Sequence, residues 1–494
     1  MKKLFKNMLL EKERTAMPAV LIAAAECAPL AKTGGLADVV GTLPKSLKEL
    51  GMDARVIIPY HRVIKEKYSD RVEHLFHFYV NLGWRSQYAG IEKLDMDGTI
   101  VYLVDSEFYF GDKIYRGGDA ETEQYAFFAK AVLDAIPNLD SDFAPEIVHC
   151  NDWHTAVMPL LAKTQYYGCM QAKLRFLLTI HNIKFQGKCG FDFIRDLLGI
   201  NPYYNSPEFI ELNGCADLMK AGCVFADRIN TVSPSYAEEI KTPYYAEGLE
   251  GILNARSHEL SGIINGIDKT VFNPYTDPHI PARFDRGHLK GKMLCKQALQ
   301  ERLGLEARPD APLFSMVTRM TEQKGFDLVM RVLDELMGNN DMQFVLLGTG
   351  DKPYEDFMRQ AESRYPGRLC AYIGYDDELS HLIYAGSDFY LMPSRFEPCG
   401  LSQMIAMRYG TVPIVRETGG LRDTVEPYNQ YTGDGTGFTF ANFNAHEMKD
   451  AVMTALWAFG EKDVMNGLVR HAMEADFGFS KSAEEYAKLY ICML

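Results

Sequence analysis

Two cations follow a strand-like segment in the second half of the chain. Arg319 and Lys324 lie in the stretch TRMTEQKG, directly after the apolar segment PLFSMVT and before a helical stretch. Arginine can bind phosphate oxygens through two N–H groups at once, lysine adds a mobile point charge, and the next helix N-terminus adds its dipole. A solvated charged loop is the commoner explanation of such a pattern. The placement before a helix makes the loop a candidate diphosphate site.

A glycine-rich loop occurs once in each half of the chain. Residues 33–40 (TGGLADVV) match residues 418–425 (TGGLRDTV) at six of eight positions, and each copy follows an apolar, strand-like run. Paired glycines between a strand and a helix let backbone N–H groups approach an anion closely. One such loop would more often be a tight turn without a ligand. Two copies in the same context favour anion binding.

Three further polar residues directly follow apolar segments. Asp152 and His181 come after EIVHC and LRFLLTI, and Glu397 lies in SRFEPCGL after DFYLMPS. In open parallel α/β sheets, ligands bind at the carboxyl ends of the strands, so we expect these side chains at such an edge. The alternatives are a helix N-cap for Asp152, a backbone-satisfied loop histidine for His181 and a helix-start acid for Glu397.

Metal and dinucleotide sites have weaker support. The candidate acidic pairs for a metal are Asp95 with Asp97 and Asp140 with Asp142, and such pairs arise by chance in a chain with 66 acidic residues. The loop at 348–350 places Pro353 where a dinucleotide fingerprint needs its third glycine. No P-loop pattern occurs in the sequence. We therefore predict neither a metal nor a cofactor.

Composition limits the partners and the compartment. The 494 residues are 47 % hydrophobic and 24 % charged, which is typical of a soluble globular protein. A formal net charge of −14 disfavours nucleic acid and an anionic membrane as partners. Ten cysteines without a C-x-x-C pair indicate reduced thiols rather than zinc or disulfides. Neither a signal peptide nor an apolar run of membrane-spanning length is evident, so we predict a cytoplasmic protein.

The order of elements predicts an α/β fold with two domains. Short, nearly continuous apolar runs alternate with helical stretches, which implies a doubly wound parallel sheet, and the series restarts after a Pro- and Asp-containing segment at 265–285 that suggests a linker. We predict a polar extension over 1–17, an N-terminal Rossmann-like domain over 18–262 and a C-terminal Rossmann-like domain over 263–478. A helix that begins at Ser480 is predicted within 479–494.

Several motifs together identify a family. Residues 26–40 (ECAPLAKTGGLADVV), 149–154 (HCNDWH), 179–187 (TIHNIKFQG), 231–240 (TVSPSYAEEI), 264–268 (INGID), 319–325 (RMTEQKG) and 394–401 (SRFEPCGL) stand in that order. They resemble bacterial glycogen synthase and plant starch synthase, from about residue 18 to the end of the chain. The combination of KTGGL with SRFEPCGL separates this family from the animal and fungal enzymes that use UDP-glucose.

The resemblance implies a fold and a reaction. The family has the GT-B fold, in which two Rossmann-like domains face each other across a cleft and a final helix crosses back to the first domain. The implied reaction transfers glucose from ADP-glucose to the non-reducing end of an α-1,4-glucan, with retention of configuration and without a metal. A GT-B transferase that uses UDP-glucose or another acceptor, and an inactive glucan-binding homologue, remain the alternatives.

The resemblance also implies roles for individual residues. Arg319 and Lys324 bind the donor diphosphate, Glu397 holds the transferred glucose, His181 lies beside the anomeric centre, and Asp152 is an active-site acid. The substrate-binding positions implied by the motifs are Glu26, Lys32, Gly34, Gly35, Asp38, Asn265, Cys399, Gly400, Leu401, Thr418, Gly419 and Gly420. Residues 242–253 depart from the family pattern, and Ile405 stands where many GT-B transferases carry a second glutamate.

Overall fold

The computed structural model describes residues 2–12 and 16–494, which divide into two compact units. The first unit combines the chain up to Gly266 with Phe479–Leu494, and the second is Ile267–Gly478. Both units are α/β structures built on a parallel sheet.

The first unit contains one large, mostly parallel sheet and a small antiparallel one. Its strands are β1 Val20–Ala23, β2 Ala54–Pro59, β3 Glu73–Leu82, β4 Arg85–Met96, β5 Thr99–Asp105, β6 Ile147–Asn151, β7 Arg175–Ile180, β8 Lys188–Cys189, β9 Glu211–Leu212, β10 Cys215–Asp217, β11 Arg228–Thr231 and β12 Leu260–Gly262. The large sheet has the order β12-β11-β7-β6-β1-β2-β5-β4-β3, in which the pairs from β12 to β5 are parallel and β4 and β3 are antiparallel. All residues of β1, β2 and β6 are buried, as expected for strands covered on both faces.

Helices cover both faces of this sheet. They are α1 Lys2–Glu11, α2 Gly35–Glu49, α3 Arg62–Tyr68, α4 Glu107–Phe110, α5 Gly118–Ala135, α6 Trp153–Ala156, α7 Met158–Gln165, α8 Phe191–Leu198, α9 Leu218–Phe225, α10 Pro234–Glu239 and α11 Glu250–Ala255. Short 3-10 helices lie at Ser69–Arg71, Ile136–Asn138, Met170–Lys173 and Pro202–Tyr204. Apolar clusters form on each side of the sheet, one built largely from α5, α7 and α9 and the other around α2.

The predicted polar extension at 1–17 is wrong for the part of it that forms α1. Phe5 is buried there, and Met8 and Leu9 pack against the same apolar cluster as α2. These three residues have the i, i+3, i+4 spacing that places side chains on one helix face. The prediction gave weight to the charged residues of this segment and overlooked the helical spacing of its apolar ones.

The second unit is a smaller sheet with helices on both faces. Its strands are β13 Leu313–Val317, β14 Gln343–Gly348, β15 Leu369–Ile373, β16 Phe389–Met392, β17 Val412–Arg416 and β18 Phe438–Phe440, all parallel in the order β15-β14-β13-β16-β17-β18. Its helices are α12 Lys290–Arg302, α13 Phe326–Asn339, α14 Lys352–Arg364, α15 Asp377–Gly386, α16 Ser402–Arg408, α17 Gly419–Thr424, α18 Ala445–Gly460 and α19 Lys462–Glu474. A 3-10 helix at Glu322–Lys324 precedes α13.

The segment predicted as a linker at 265–285 instead belongs to the second unit from Ile267 onward and anchors it with several buried side chains. Asp277 is 2 % exposed, and its carboxylate accepts hydrogen bonds from His381, at 2.7 Å, and from the Tyr409 hydroxyl. Ile280 and Phe284 are buried as well. The Pro and Asp content that indicated a linker instead reflects an irregular segment whose polar groups are satisfied by distant side chains.

The final helix, α20 Phe479–Met493, belongs to the first unit. The Tyr490 hydroxyl lies 2.8 Å from His149 Nδ1 in β6, and the Tyr486 hydroxyl accepts a hydrogen bond from Asn230 in β11 at 3.0 Å. Both tyrosines are fully buried. The last residues of the chain are therefore part of the core beneath the strands that carry Asp152 and His181.

Two further predictions concern thiols and membranes. Each of the ten cysteines has a free thiol. Among the described residues, none of the helices combines the length and apolar composition needed to cross a lipid bilayer.

Candidate functional site

The first glycine loop begins immediately after β1 and is organised by a buried glutamate. Glu26 is 3 % exposed, and its Oε2 accepts hydrogen bonds from the Thr33 backbone N–H and, at 2.8 Å, from the Thr33 hydroxyl. Burial raises the pKa of Glu26, although the bonds from the loop oppose that shift. The loop is thus tied to the end of β1, and α2 begins at Gly35.

The exposed part of this loop carries an ion pair. Lys32 Nζ lies 2.7 Å from Asp38 Oδ1, and the Lys32 side chain is 43 % exposed. Gly34 has room for a side chain, since an added Cβ would come no closer than 3.7 Å to Glu26 Oε1. Packing within the protein therefore does not require glycine at position 34, which leaves close approach of a ligand as a reason for it.

Asp152 and His181 meet at the carboxyl ends of the neighbouring strands β6 and β7, as predicted from their positions after apolar runs. Asp152 Oδ1 accepts hydrogen bonds from the backbone N–H groups of His181, at 2.7 Å, and Asn182, at 3.2 Å. Burial raises the pKa of Asp152 to about 7, and the nearby Glu26 carboxylate adds to the shift. The sequence position immediately before α6 suggested an N-cap, but Asp152 makes no capping side-chain bond.

Asp152 also has an unusual backbone conformation. Its φ of 56° and ψ of −177° lie in a region that is almost restricted to glycine. Such strain persists where the surrounding structure enforces it, and it clusters at functional sites. The strained backbone and the raised pKa both fit a functional carboxyl group.

His181 is neutral and is oriented by Asn151, which was not predicted from the sequence as a site residue. Its Nε2 lies 2.9 Å from Asn151 Oδ1, and burial lowers the pKa of the imidazole to about 3. Asn151 is hidden in the motif HCNDWH, where its place one residue before Asp152 was the only available signal.

Two other residues of the first unit are notable. Tyr115 interacts with Glu26, Thr33 and Asp152, and burial raises its hydroxyl pKa. Asn265, predicted from the motif INGID, is 5 % exposed, and its Oδ1 has no hydrogen-bond partner among the described residues. A buried acceptor without a partner is costly, so it is a candidate contact for a ligand hydroxyl.

In the second unit, the structure brings two predicted site residues into direct contact. Lys324 Nζ donates to Glu397 Oε2 at 2.6 Å, and the Ser394 hydroxyl donates to the same oxygen at 3.0 Å. Lys324 follows β13 and Glu397 follows β16, which are neighbouring strands. The Lys324 side chain is 18 % exposed and that of Glu397 is 8 % exposed, so the pair lies just below the surface.

Arg319 lies in the same loop as Lys324 but is exposed. Among the residues that the structure describes, its guanidinium forms no hydrogen bond or ion pair. The neighbouring loop at 348–350 supports the Arg319 loop: Met320 N donates to the Thr349 carbonyl at 2.9 Å, and a Cβ on Gly350 would lie 2.0 Å from the Met320 carbonyl oxygen. The glycines of this loop therefore serve close backbone packing beside Arg319.

The second glycine loop packs directly against the Glu397 loop. A Cβ on Gly419 would lie 2.0 Å from the Glu397 carbonyl oxygen, and one on Gly420 would lie 2.1 Å from that of Cys399. The Gly420 N–H donates to the Glu397 carbonyl at 3.1 Å, so it is already bonded within the protein. Unlike position 34, positions 419 and 420 require glycine because two backbones meet there.

The contact between the second glycine loop and the Glu397 loop is flanked by the remaining residues of SRFEPCGL and by the loop after β17. Thr418 precedes α17, Leu401 precedes α16, and Gly400 has a φ of 75°. Cys399 is buried, and its carbonyl oxygen accepts a hydrogen bond from Gln403 at 3.1 Å. Arg416 was not predicted from the sequence as a site residue, and its buried guanidinium donates to the Ser394 carbonyl at 2.9 Å and to that of Arg395. It holds the segment that carries Glu397.

The acidic pairs considered for a metal have other partners. Asp140 Oδ2 lies within 3.0 Å of Arg55 Nη1 and within 2.6 Å of Lys93 Nζ, and Asp95 accepts a turn hydrogen bond from the Gly98 N–H. No group of three or more His, Cys, Asp or Glu side chains arranged to hold a metal ion occurs within the described ranges.

Family models and similar proteins of known function match this chain. Residues 19–255 match the family model for the starch synthase catalytic domain, and residues 300–458 match that for glycosyl transferases group 1. The chain is 47 % identical to glycogen synthase of Geobacillus thermodenitrificans over 472 residues, which is 95 % of this chain and 97 % of that protein. It is 46 % identical to glycogen synthase of Bacillus subtilis over 474 residues, with 95 % and 97 % of the two chains covered.

Solved structures show the same fold. The catalytic domain of starch synthase IV from Arabidopsis thaliana, bound to ADP and acarbose, superposes with a TM-score of 0.87 at 32 % identity and covers 97 % of this chain and 99 % of that one. Sucrose-phosphate synthase from Thermosynechococcus elongatus superposes with a TM-score of 0.59 at 16 % identity, over 96 % and 98 % of the two chains, which supports the fold alone.

Two Rossmann-like units with polar groups at the carboxyl ends of their strands define a GT-B glycosyltransferase. The resemblance found in the sequence is confirmed at the level of family and activity. The chain belongs to the family of bacterial glycogen synthases and plant starch synthases, enzymes that transfer a glucosyl unit from a nucleotide sugar to a glucan.

Proposed function

We propose that this enzyme uses ADP-glucose as its donor and extends the non-reducing end of an α-1,4-glucan, with retention of configuration and without a metal. ADP is the nucleotide bound in the starch synthase IV structure, which shares 32 % of its sequence with this chain. The motifs KTGGL and SRFEPCGL, which resemble those of the ADP-glucose enzymes, support the same donor.

The Lys324–Glu397 pair, together with the exposed Arg319 in the same loop as Lys324, carries this proposal. When the bond between the anomeric carbon and phosphate breaks, ADP gains negative charge and the glucose becomes oxocarbenium-like. Lys324 and Arg319 supply positive charge for the leaving diphosphate, and the Glu397 carboxylate supplies an acceptor for hydroxyl groups of the transferred glucose. Fixed charges aimed at developing charge stabilise the transition state more than the ground state.

The first unit contributes the other groups that we assign to the reaction. Lys32 and the backbone at Gly34 and Gly35 contact the donor, and His181 lies beside the anomeric carbon. Asp152, with a pKa raised to about 7, is the active-site acid. Glu26 and Asp38 act mainly on the protein, because one ties the loop to β1 and the other pairs with Lys32.

We propose the partners and the cellular location of the enzyme from its net charge and its cysteines. A net charge of −14 disfavours nucleic acid and anionic membranes, so we propose nucleotide sugar and glucan as the partners. Ten free thiols agree with a reducing compartment, and we propose the cytoplasm. Immunoblots of fractionated cells of the source organism, with a known cytoplasmic marker, test this location.

A donor and acceptor assay tests the proposal. Purified enzyme is incubated with a maltooligosaccharide primer and either ADP-glucose or UDP-glucose, and chain growth and nucleotide release are followed. We expect elongation that strongly prefers ADP-glucose and continues in EDTA. Equal or better turnover with UDP-glucose would refute the donor assignment, and loss of activity in EDTA that magnesium or manganese restores would refute the metal-free one.

A further inference from the structure

Asn151, the last residue of β6, is held in a single orientation. Its side chain is almost fully buried, and Nδ2 donates to the carbonyl oxygens of Ala23 and His149, both at 3.1 Å. Carbonyl oxygens only accept hydrogen bonds, so a flipped amide would place oxygen against oxygen at both contacts. The amide oxygen of Asn151 must therefore point the other way.

The main chain of Asn151 is fixed as well. Its N–H donates to the Thr155 hydroxyl oxygen at 2.7 Å, and that hydroxyl donates to the Asn151 carbonyl at 3.0 Å. Thr155 lies in α6 and is buried. Asn151 thus presents its amide oxygen from a rigid strand end.

This oxygen faces the imidazole of His181. Asn151 Oδ1 lies 2.9 Å from His181 Nε2, and because an amide oxygen only accepts, Nε2 must carry the proton. In a neutral imidazole the other nitrogen, Nδ1, then has a free lone pair. Among the described residues, none forms a hydrogen bond with His181 Nδ1.

We infer that Asn151 is a positioning residue that holds His181 as the neutral Nε2–H tautomer and leaves Nδ1 as a hydrogen-bond acceptor. The inference rests on the proposed place of His181 beside the transferred glucose. In this arrangement His181 accepts a hydrogen bond from a sugar hydroxyl and does not supply a proton. Asn151 acts through His181 and does not touch the substrate itself.

The surroundings favour the neutral ring. The titratable groups that interact with His181 are His149, in β6, and Asp152, directly after β6. The pKa of His149 is lowered to about 3 by burial, so His149 is neutral as well. Asp152 contacts the backbone N–H of His181 rather than the ring.

Two variants distinguish the loss of His181 positioning from a general loss of stability. Asn151→Ala removes the acceptor for His181 Nε2, whereas Asn230→Ala removes an equally buried asparagine of β11 whose bonds go to Thr179, Tyr486 and Ser261. Both lose buried hydrogen bonds, so both should lower the melting temperature. Only Asn151→Ala should lower kcat, by roughly 10–100-fold with KM for the donor changed far less, because a misplaced catalytic group mainly costs turnover.

Long-range 1H–15N NMR spectra of the enzyme labelled with [15N]histidine report the tautomer of each histidine. The His181 signals are identified as those that are missing from the spectrum of the His181→Gln variant. We expect the Nε2–H pattern at neutral pH in the wild type and its loss in Asn151→Ala. A wild-type Nδ1–H pattern, or a kcat of Asn151→Ala equal to that of Asn230→Ala, would overturn the inference. If instead His181→Gln keeps full activity, the proposed role of His181 fails, while the spectra still test whether Asn151 fixes the tautomer.

Discussion

Lys324 Nζ lies 2.6 Å from Glu397 Oε2, although the two residues are 73 positions apart in the chain. The contact joins the loop after β13 to the loop after β16. It keeps the lysine charge just below the surface, in the same loop as the exposed Arg319. A carboxylate that orients a lysine in this way makes the charge available to a phosphate without letting the side chain move freely.

Removing the carboxylate charge should affect both stability and turnover. Glu397→Gln leaves the Lys324 ammonium without its anionic partner, and we expect the free energy of unfolding to fall by about 1–3 kcal/mol. We expect kcat to fall by ~10²-fold or more, because the charged acceptor for the transferred glucose is replaced by a neutral amide. Denaturant unfolding and initial rates measure the two effects. Glu335→Gln, which breaks an exposed pair with Lys449, is the matched control and should be near neutral.

Asp152 should make stability depend on pH. Its pKa is raised from 3.8 to about 7, so between these values the native state keeps a proton that the unfolded state has lost. The free energy of unfolding should therefore fall as pH rises from about 4 to about 7, and then level off. Asp152→Asn cannot ionise, so the difference between wild type and variant should shrink or reverse over this range in denaturant titrations. A difference that stays constant with pH would contradict the raised pKa.

The two glycine loops should respond differently to alanine. Gly420→Ala places a Cβ 2.1 Å from the Cys399 carbonyl oxygen, and we expect a stability loss of about 1–3 kcal/mol together with loss of activity. Gly34→Ala has room, so its melting temperature should stay near that of the wild type while KM for the donor rises. Thermal unfolding and donor titrations check both variants. Equal destabilisation by the two substitutions would contradict the distinction.

The final helix should stabilise the strand that carries Asn151 and Asp152. Tyr490→Phe removes the hydroxyl that lies 2.8 Å from the buried His149 Nδ1, and leaving that nitrogen without a partner should cost about 1–3 kcal/mol of unfolding free energy. Tyr167→Phe, at a position 93 % exposed, is the control and should change little. If the two variants unfold at the same denaturant concentration, the hydrogen bond contributes nothing.

The sequence could predict the elements and the strand-end placement of polar residues, because both follow from local patterns. The apolar runs before Asp152, His181 and Glu397 do form parallel strands, and the glycine loops do connect strands to helices. Both features are determined by residues that lie within about one helix or strand length of each other along the sequence.

Contacts between distant segments could not be predicted in the same way. Asp277 is buried because His381 and Tyr409, more than 100 positions away, satisfy its carboxylate, and nothing near Asp277 indicates this. Phe5 is buried only because α1 packs with the apolar cluster around α2 and α20. The roles of the individual site residues stay predictions, since each role is a contact with a bound substrate.

Substitution of Arg319 and Lys324 tests most directly whether these cations stabilise the leaving diphosphate. Steady-state rates with ADP-glucose and a maltooligosaccharide primer are compared for Arg319→Ala, Lys324→Ala and Lys352→Ala, the last an exposed lysine at the start of α14. We predict that each loop variant remains folded and loses kcat by ~10²–10³-fold with a smaller change in primer KM, because a donor aimed at the leaving diphosphate is lost. Lys352→Ala should match the wild type. Near-normal kcat in both loop variants, or values no lower than that of the control, would contradict the proposal that these cations stabilise the departing diphosphate.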